Sequence, residues 1–159
     1  MPRPTRNAET LAPLLGRDLL LRYTSSSGFF EDADLLDERR RGAERDLQLA
    51  DGLANLEQAL ANRLKTRKGE LTALGHPDYG SRHHELIGEP NVQRTRHLIK
   101  LYILQALRDE PRIEKVLSAE VRAEQQPPRE TVRIELALRV QGEPQPLNLV
   151  LPFSLGVTP

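Results

Sequence analysis

The chain has 159 residues, of which 38% are hydrophobic and 29% charged, a balance that suits one polar domain with a modest core and leaves no room for two full ones. Lysine plus arginine and aspartate plus glutamate each number 23, so no net field draws the whole molecule to a polyanion, and neither nucleic acid nor a membrane is expected as a partner. Cysteine is absent, which removes disulfides, thiolate zinc sites, iron–sulfur clusters and cysteine nucleophiles together.

The opening Met1-Pro-Arg-Pro-Thr-Arg-Asn7 lacks the apolar run of a signal peptide, and no stretch approaches the ~20 apolar residues of a membrane span, so the expected location is the cytoplasm. Pro2, Pro4, Pro13 and Gly16 lie among polar residues, and the stretch 1–16 reads as a tail. Arg17-Asp-Leu-Leu-Leu-Arg-Tyr23 can pair as a short strand, which Thr24-Ser-Ser-Ser-Gly28 then ends in a flexible link. Charges dominate from Glu31 to Arg45, acidic first and basic later, and predict a solvated, irregular or weakly helical segment. Residues 1–45 are therefore expected to form a flexible or partly ordered arm, and 46–159 a single α+β domain.

Within that domain, Asp46-Leu-Gln-Leu-Ala50 alternates apolar and polar like a short strand, and Asp51 can cap a helix beginning after it. Leu53, Leu56, Leu60 and Leu64 recur at spacings of three and four, which predicts an amphipathic helix ending near Lys65. Gly69, Gly75, Pro77, Gly80, Gly88 and Pro90 fill 66–90 with turn signals, consistent with turns and a small hairpin whose strand would be Glu70–Leu74. A second helix is expected from about Val92 to Arg108, apolar all round after Leu98 and so buried on more than one side. Beyond Pro111 the period becomes two. Ile113–Arg122, Thr131–Val140 and Leu147–Phe153 read as antiparallel strands, and Pro152 places the last at an edge or ends it. This order of elements predicts two main helices on one face of a small, mainly antiparallel sheet.

No catalytic, cofactor or metal site emerges. His76, His83, His84 and His97 lack the spacing of ligands on a helix. Glu70, Asp78, Glu85 and Glu89 lie in the turn-rich stretch, where spacing defines no acid/base pair of the kind a glycosidase needs. Gly80-Ser81 lacks the flanks of a nucleophile elbow. Arg39-Arg-Arg41 with Arg45 is best read as a solvated run, since aromatic residues for base stacking make up only 4% of the chain. The end of the second helix is more distinctive. Pro111 stops that helix and disfavours the helical conformation at Glu110, which is expected to leave Glu110 and Arg112 at an exposed corner between helix and sheet, on the plainest reading an ordinary helix stop with an intramolecular ion pair.

Two segments carry a more specific signal. Asn62-Arg-Leu-Lys-Thr-Arg-Lys-Gly-Glu-Leu71, leading to Pro77-Asp-Tyr-Gly-Ser-Arg82 and His84-Glu-Leu86, and Ala106-Leu-Arg-Asp-Glu-Pro-Arg-Ile113 together resemble the gpW-type baseplate wedge family of contractile phage tails, phage-like injection particles and type VI secretion systems. The resemblance covers about residues 46 to 153, departing at Arg67, where the family often has proline, and at His83, where leucine is common. It implies a structural subunit of a large hetero-oligomer whose Glu110, Pro111 and Arg112 dock onto the helical core bundle of the wedge. It further implies a sheet, similar to that of the sheath protein, that templates the first sheath ring by strand exchange. Sheath protein and other wedge proteins are the implied partners. A cell-wall hydrolase of the same apparatus is the alternative, since some family members were labelled lysozymes, and an unrelated peptide-binding adaptor is a third.

Overall fold

Short apolar stretches broken by charges cannot bury a broad sheet, and the N-terminal residues form narrow two-stranded ribbons instead. The computed structural model describes residues 15–26, 30–39 and 45–157. These fall into two compact units, Met1–Gln58 and Ala59–Pro159. In the first, β1 (Arg17–Leu19), β2 (Leu21–Ser26), β3 (Phe30–Leu35), β4 (Asp37–Arg39), β5 (Arg45–Leu47) and β6 (Leu49–Asp51) pair antiparallel as β1–β6, β2–β3 and β4–β5.

The ribbons meet where the chain passes from one to the next, at Leu20, Leu36 and Gln48. Leu20 N–H donates to the Gln48 carbonyl at 2.8 Å, Gln48 N–H to the Leu36 carbonyl at 2.8 Å, and Leu36 N–H to the Leu20 carbonyl at 3.2 Å, which closes a ring of main-chain bonds. Gln58 secures one side, donating from Nε2 to the Leu19 carbonyl and accepting from Leu21 N–H, each at 2.8 Å. Residues flanking the ring share one face by alternation, with Leu19 opposite Leu49, Leu21 opposite Leu35 and Asp37 opposite Leu47. That face is leucine but for Asp37, and it is open, Leu35 being 50% and Leu49 52% exposed.

The N-terminal segment corrects two expectations. The segment from Glu31 is strand through Leu35 and again over Asp37–Arg39, because pairing with β2 supplies its backbone partners and sets Arg22 opposite Asp34. The serine-rich link is likewise strand as far as Ser26. The tail over 1–14, Gly28 and the Arg40-Arg41 part of the basic run lie outside the described residues.

Helix α1 (Gly52–Lys65) buries Leu56, Leu60 and Leu64 at intervals of four, as its leucine spacing predicts. Helix α2 (Gln93–Arg108) buries Thr95, Ile99, Ile103 and Leu107 on a single stripe. The helix packs on both the Arg82–Leu86 turn and β7, with Leu98, Tyr102, Leu104 and Ala106 half-buried beside the stripe, but burial is not all round, since Leu101 is 47% exposed. A three-stranded antiparallel sheet completes the unit, ordered β7 (Ile113–Ala123), β8 (Thr131–Val140), β9 (Leu147–Ser154). Its central strand buries Val132, Ile134, Leu136, Leu138 and Val140 and exposes Arg133 and Arg139, and α2 packs on β7. This is the α+β architecture read from the periodicity.

Both outer strands are edges. Leu155 N–H donates to the Glu130 carbonyl, so by alternation the hydrogen-bonded pairs of β8 and β9 include Phe153 and Leu151, while Pro152 points its nitrogen away from β8. Proline thus costs the ladder nothing and removes one donor from the outer row of β9. On β7, register shifts between Ile113 and Lys115 and between Val116 and Ser118 bulge the first half, while Ala119, Val121 and Ala123 turn their N–H groups outward.

Between the helices no hairpin forms. Thr72–Leu74 is a 3-10 turn where a strand was expected, because Gly69 and Gly75 close turns at positive φ on either side, and a single parallel bridge joins Arg67 to Ser81. Gly80 sits against that bridge with φ +99°, where a Cβ would lie 2.7 Å from the carbonyl oxygens of both Thr66 and Arg67. Gly80→Ala should therefore destabilise the protein by at least about 2 kcal/mol, combining left-handed strain with a clash against main chain. Urea unfolding checks this, and Gly75→Ala, which meets nothing within 4 Å, serves as the control for backbone strain alone.

Candidate functional site

The junction of α2 and β7 is a tight turn built from the residues that proline permits. Glu110 N–H bonds to the Leu107 carbonyl at 3.2 Å as the helix ends, and Ile113 N–H returns to the Glu110 carbonyl at 3.1 Å, which puts Pro111 second in a four-residue turn, where its fixed φ fits. Gln141, just after β8, clamps the turn from the sheet side: its Nε2 donates to the Pro111 carbonyl at 2.7 Å and its N–H to the Arg112 carbonyl at 3.0 Å.

The corner is not the exposed one that the sequence predicts. The Glu110 side chain is only 4% exposed, and its carboxylate is gripped by Arg112, from Nε at 2.6 Å and from Nη2 at 3.0 Å. Arg112 N–H adds a third bond at 3.3 Å. Burial makes the difference: a carboxylate turned inward must be fully partnered, and the adjacent arginine supplies a fork of matching geometry. Arg63, from the last turn of α1, stands with Nη2 at 3.6 Å from Glu110 Oε2, and its guanidinium lies 4.9 Å from the ring centre of Tyr79. Burial pushes the Glu110 carboxyl up, but the Arg112 hydrogen bonds and the charges of Arg112 and Arg63 prevail and hold it below the usual carboxylate range. Burial raises the Tyr79 hydroxyl, opposed by Arg63.

The site is thus wider than the tripeptide. Arg63 and Tyr79 both lie inside the segments that carry the family resemblance, yet their convergence on Glu110 depends on how 66–81 folds back, which no spacing reveals. Pro111 remains exposed, and both arginine side chains are 20% exposed.

The carboxylates of the intervening loop are surface groups. Glu85 is held by Arg82 in two bonds of 2.9 Å, Asp78 faces Lys68 at 3.3 Å, and Glu70 accepts from Arg67 N–H at 3.0 Å. The Arg82 hydrogen bond keeps the Glu85 carboxyl below its ordinary range, whereas a glycosidase acid needs it raised. His83 and His84 stack at 4.2 Å, with Phe153 edge-on to His83 at 4.5 Å. His84 Nε2 donates to the Leu64 carbonyl at 2.8 Å, and His83 Nδ1 lies 2.8 Å from Ser81 Oγ, so these rings are engaged by the protein itself. Among the described residues no group of three or more His, Cys, Asp or Glu is arranged to hold a metal ion.

The family model for baseplate wedge protein gp25 matches residues 50–145. Among solved structures, a protein described as a putative tail lysozyme from Geobacter sulfurreducens is 26% identical with a TM-score of 0.55, over 63% of this chain and 87% of that one. A chain of the baseplate complex from the type VI secretion system is 22% identical with a TM-score of 0.51, over 64% of this chain and 92% of that one, a likeness of fold. No curated protein matches the chain.

The buried histidine makes a pH prediction. Burial, with a smaller push from His84, lowers His83 from 6.5 to about 3. Between those values the unfolded chain takes up a proton that the folded chain refuses, so the contribution is complete above pH 6.5 and is lost as pH falls toward 3. Glu110 adds a loss at lower pH, below the carboxylate range. His83→Leu should reduce the decline in melting temperature that begins below about pH 6.5, leaving the part due to His84, which burial also lowers, and the acid loss due to Glu110. An unchanged profile by thermal scans at stepped pH would show that His83 is charged in the fold.

Proposed function

The chain belongs to the baseplate wedge protein gp25 family, and from that premise we propose that it is a non-enzymatic structural subunit of the baseplate of a contractile injection apparatus, joining the wedge core to the first sheath ring and templating sheath assembly. The observation that carries this reading is the Glu110-Pro111-Arg112 turn. Its backbone is clamped by Gln141 and its carboxylate by Arg112, so an exposed proline is presented on a turn braced from both sides. A rigid, pre-formed corner loses little freedom on docking. Wedge proteins would meet this corner, and sheath protein the sheet.

A hydrolase finds less support. The loop carboxylates that would serve are solvent-facing, and Glu85 is stabilised in the charged form by Arg82. For sheath templating, an added strand needs a row of free backbone groups. The outer row of β9 is interrupted at Pro152, whereas the second half of β7 offers Ala119, Val121 and Ala123 in succession.

Two predictions test the two halves of the reading. Arg112→Ala leaves Glu110 buried beside Arg63 alone, and it should cost about 1–3 kcal/mol as well as incorporation into baseplates. The double variant Glu110→Gln/Arg112→Met removes the charge conflict and should recover much of the melting temperature without recovering incorporation, as scored by electron microscopy. Normal baseplates containing the double variant would end the docking role. Separately, Val121→Pro removes an outward donor and no ladder bond, so it should preserve the fold yet yield baseplates without sheath. Full-length sheath on such baseplates would exclude strand addition at β7.

A further inference from the structure

We propose that the surface docking onto the Glu110–Arg112 turn brings a carboxylate side chain, seated between the guanidinium groups of Arg63 and Arg112, an inference that rests on the docking role proposed for this turn. The reason is a count of charges. Arg63 and Arg112 share the single carboxylate of Glu110, so the cluster retains one positive charge. Each arginine side chain is 20% exposed, and this last access to water compensates the excess in the free subunit. A partner that covers the turn removes that water. An unpaired cation in a sealed interface costs several kcal/mol, so the partner must supply the missing negative charge.

Arg63 is the receptive member. Arg112 spends Nε and Nη2 on Glu110, but Arg63 stands at 3.6 Å, an ion pair too long for a hydrogen bond, and donates none to any described residue. Its planar fork, braced on the Tyr79 ring, is matched to two carboxylate oxygens. Among the described residues, the other acids of the cleft do not fill this role. Asp78 and Asp109 line the same cleft as Arg63, but each faces its own cation, Lys68 at 3.3 Å and Arg108 at 3.5 Å, and their side chains are 89% and 76% exposed. A backbone carbonyl from the partner would accept a hydrogen bond and leave the charge uncompensated.

The test uses intact baseplates. Arg63→Lys keeps the charge and introduces an amine that a water-soluble carbodiimide can join to a touching carboxylate, with loss of water, as an amide readable by mass spectrometry. The expected product links position 63 to an aspartate or glutamate of another subunit and is absent from wild-type baseplates. Links from position 63 only to carboxylates of its own chain would overturn the proposal. In parallel, Arg63→Met should lower incorporation at least tenfold with a melting temperature near that of wild type, and Arg63→Glu should abolish it. Wild-type incorporation of Arg63→Met, while Glu110→Gln/Arg112→Met is still excluded, would reject the carboxylate and keep the docking corner. Incorporation of both would reject the corner itself.

Discussion

A carboxylate that the fold has turned inward governs the arrangement around it. Glu110 comes just after α2, and its partners come from elsewhere in the chain: the hydrogen-bonding fork of Arg112 from across the proline, and the longer-range charge of Arg63, itself beside the Tyr79 ring, from the end of α1. The helix ends, the loop and the start of the sheet therefore meet at one anion. A fully partnered buried charge is a weak source of net stability, but an incompletely partnered one is severe. The geometry of this corner therefore depends on the Arg112 fork being in place.

Most of the regular structure was legible in the sequence, and the reasons are local. The spacing of Leu56, Leu60 and Leu64 marks α1 within a residue, and the alternation from Val132 to Val140 marks β8 with its correct buried face. Both patterns are imposed by a hydrophobic face that must close on something. The N-terminal ribbons were not legible, because Asp32, Asp34 and Glu38 make a strand look like a solvated run until its partner strand is known. Nor was the loop over 66–81, whose path depends on Gly80 fitting against the Thr66 and Arg67 carbonyls, a contact between main-chain atoms that leaves no trace in side-chain pattern.

The candidate site shows the same division. Pro111 declares a corner in any sequence, and the turn that Ile113 closes onto Glu110 obeys that declaration. The direction in which Glu110 points is decided by the third dimension, and its burial converts an expected pair of surface charges into a supported platform. Arg63 could have been suspected only as a cation in the last turn of α1, where it complements the helix dipole whether or not it does anything more. His83 is a similar case: its place in a turn-rich stretch gives no sign of burial, yet it is a ring of the core, packed edge-on against Phe153.

The ring of bonds among Leu20, Leu36 and Gln48 has a consequence for how the N-terminal unit can change. Each of these residues is the hinge between two ribbons, and each is both donor and acceptor in the ring. A slip of one residue in any ribbon would carry its hinge residue out of place and open the ring for the other two, besides turning its leucines to the opposite face. Register is thus policed jointly, whereas length is not, since nothing in the ring senses how far a ribbon extends. The ring fixes the β2–β3 and β4–β5 ribbons at their bases and sets no condition on how many residue pairs follow, a branched scaffold specified at its branch point.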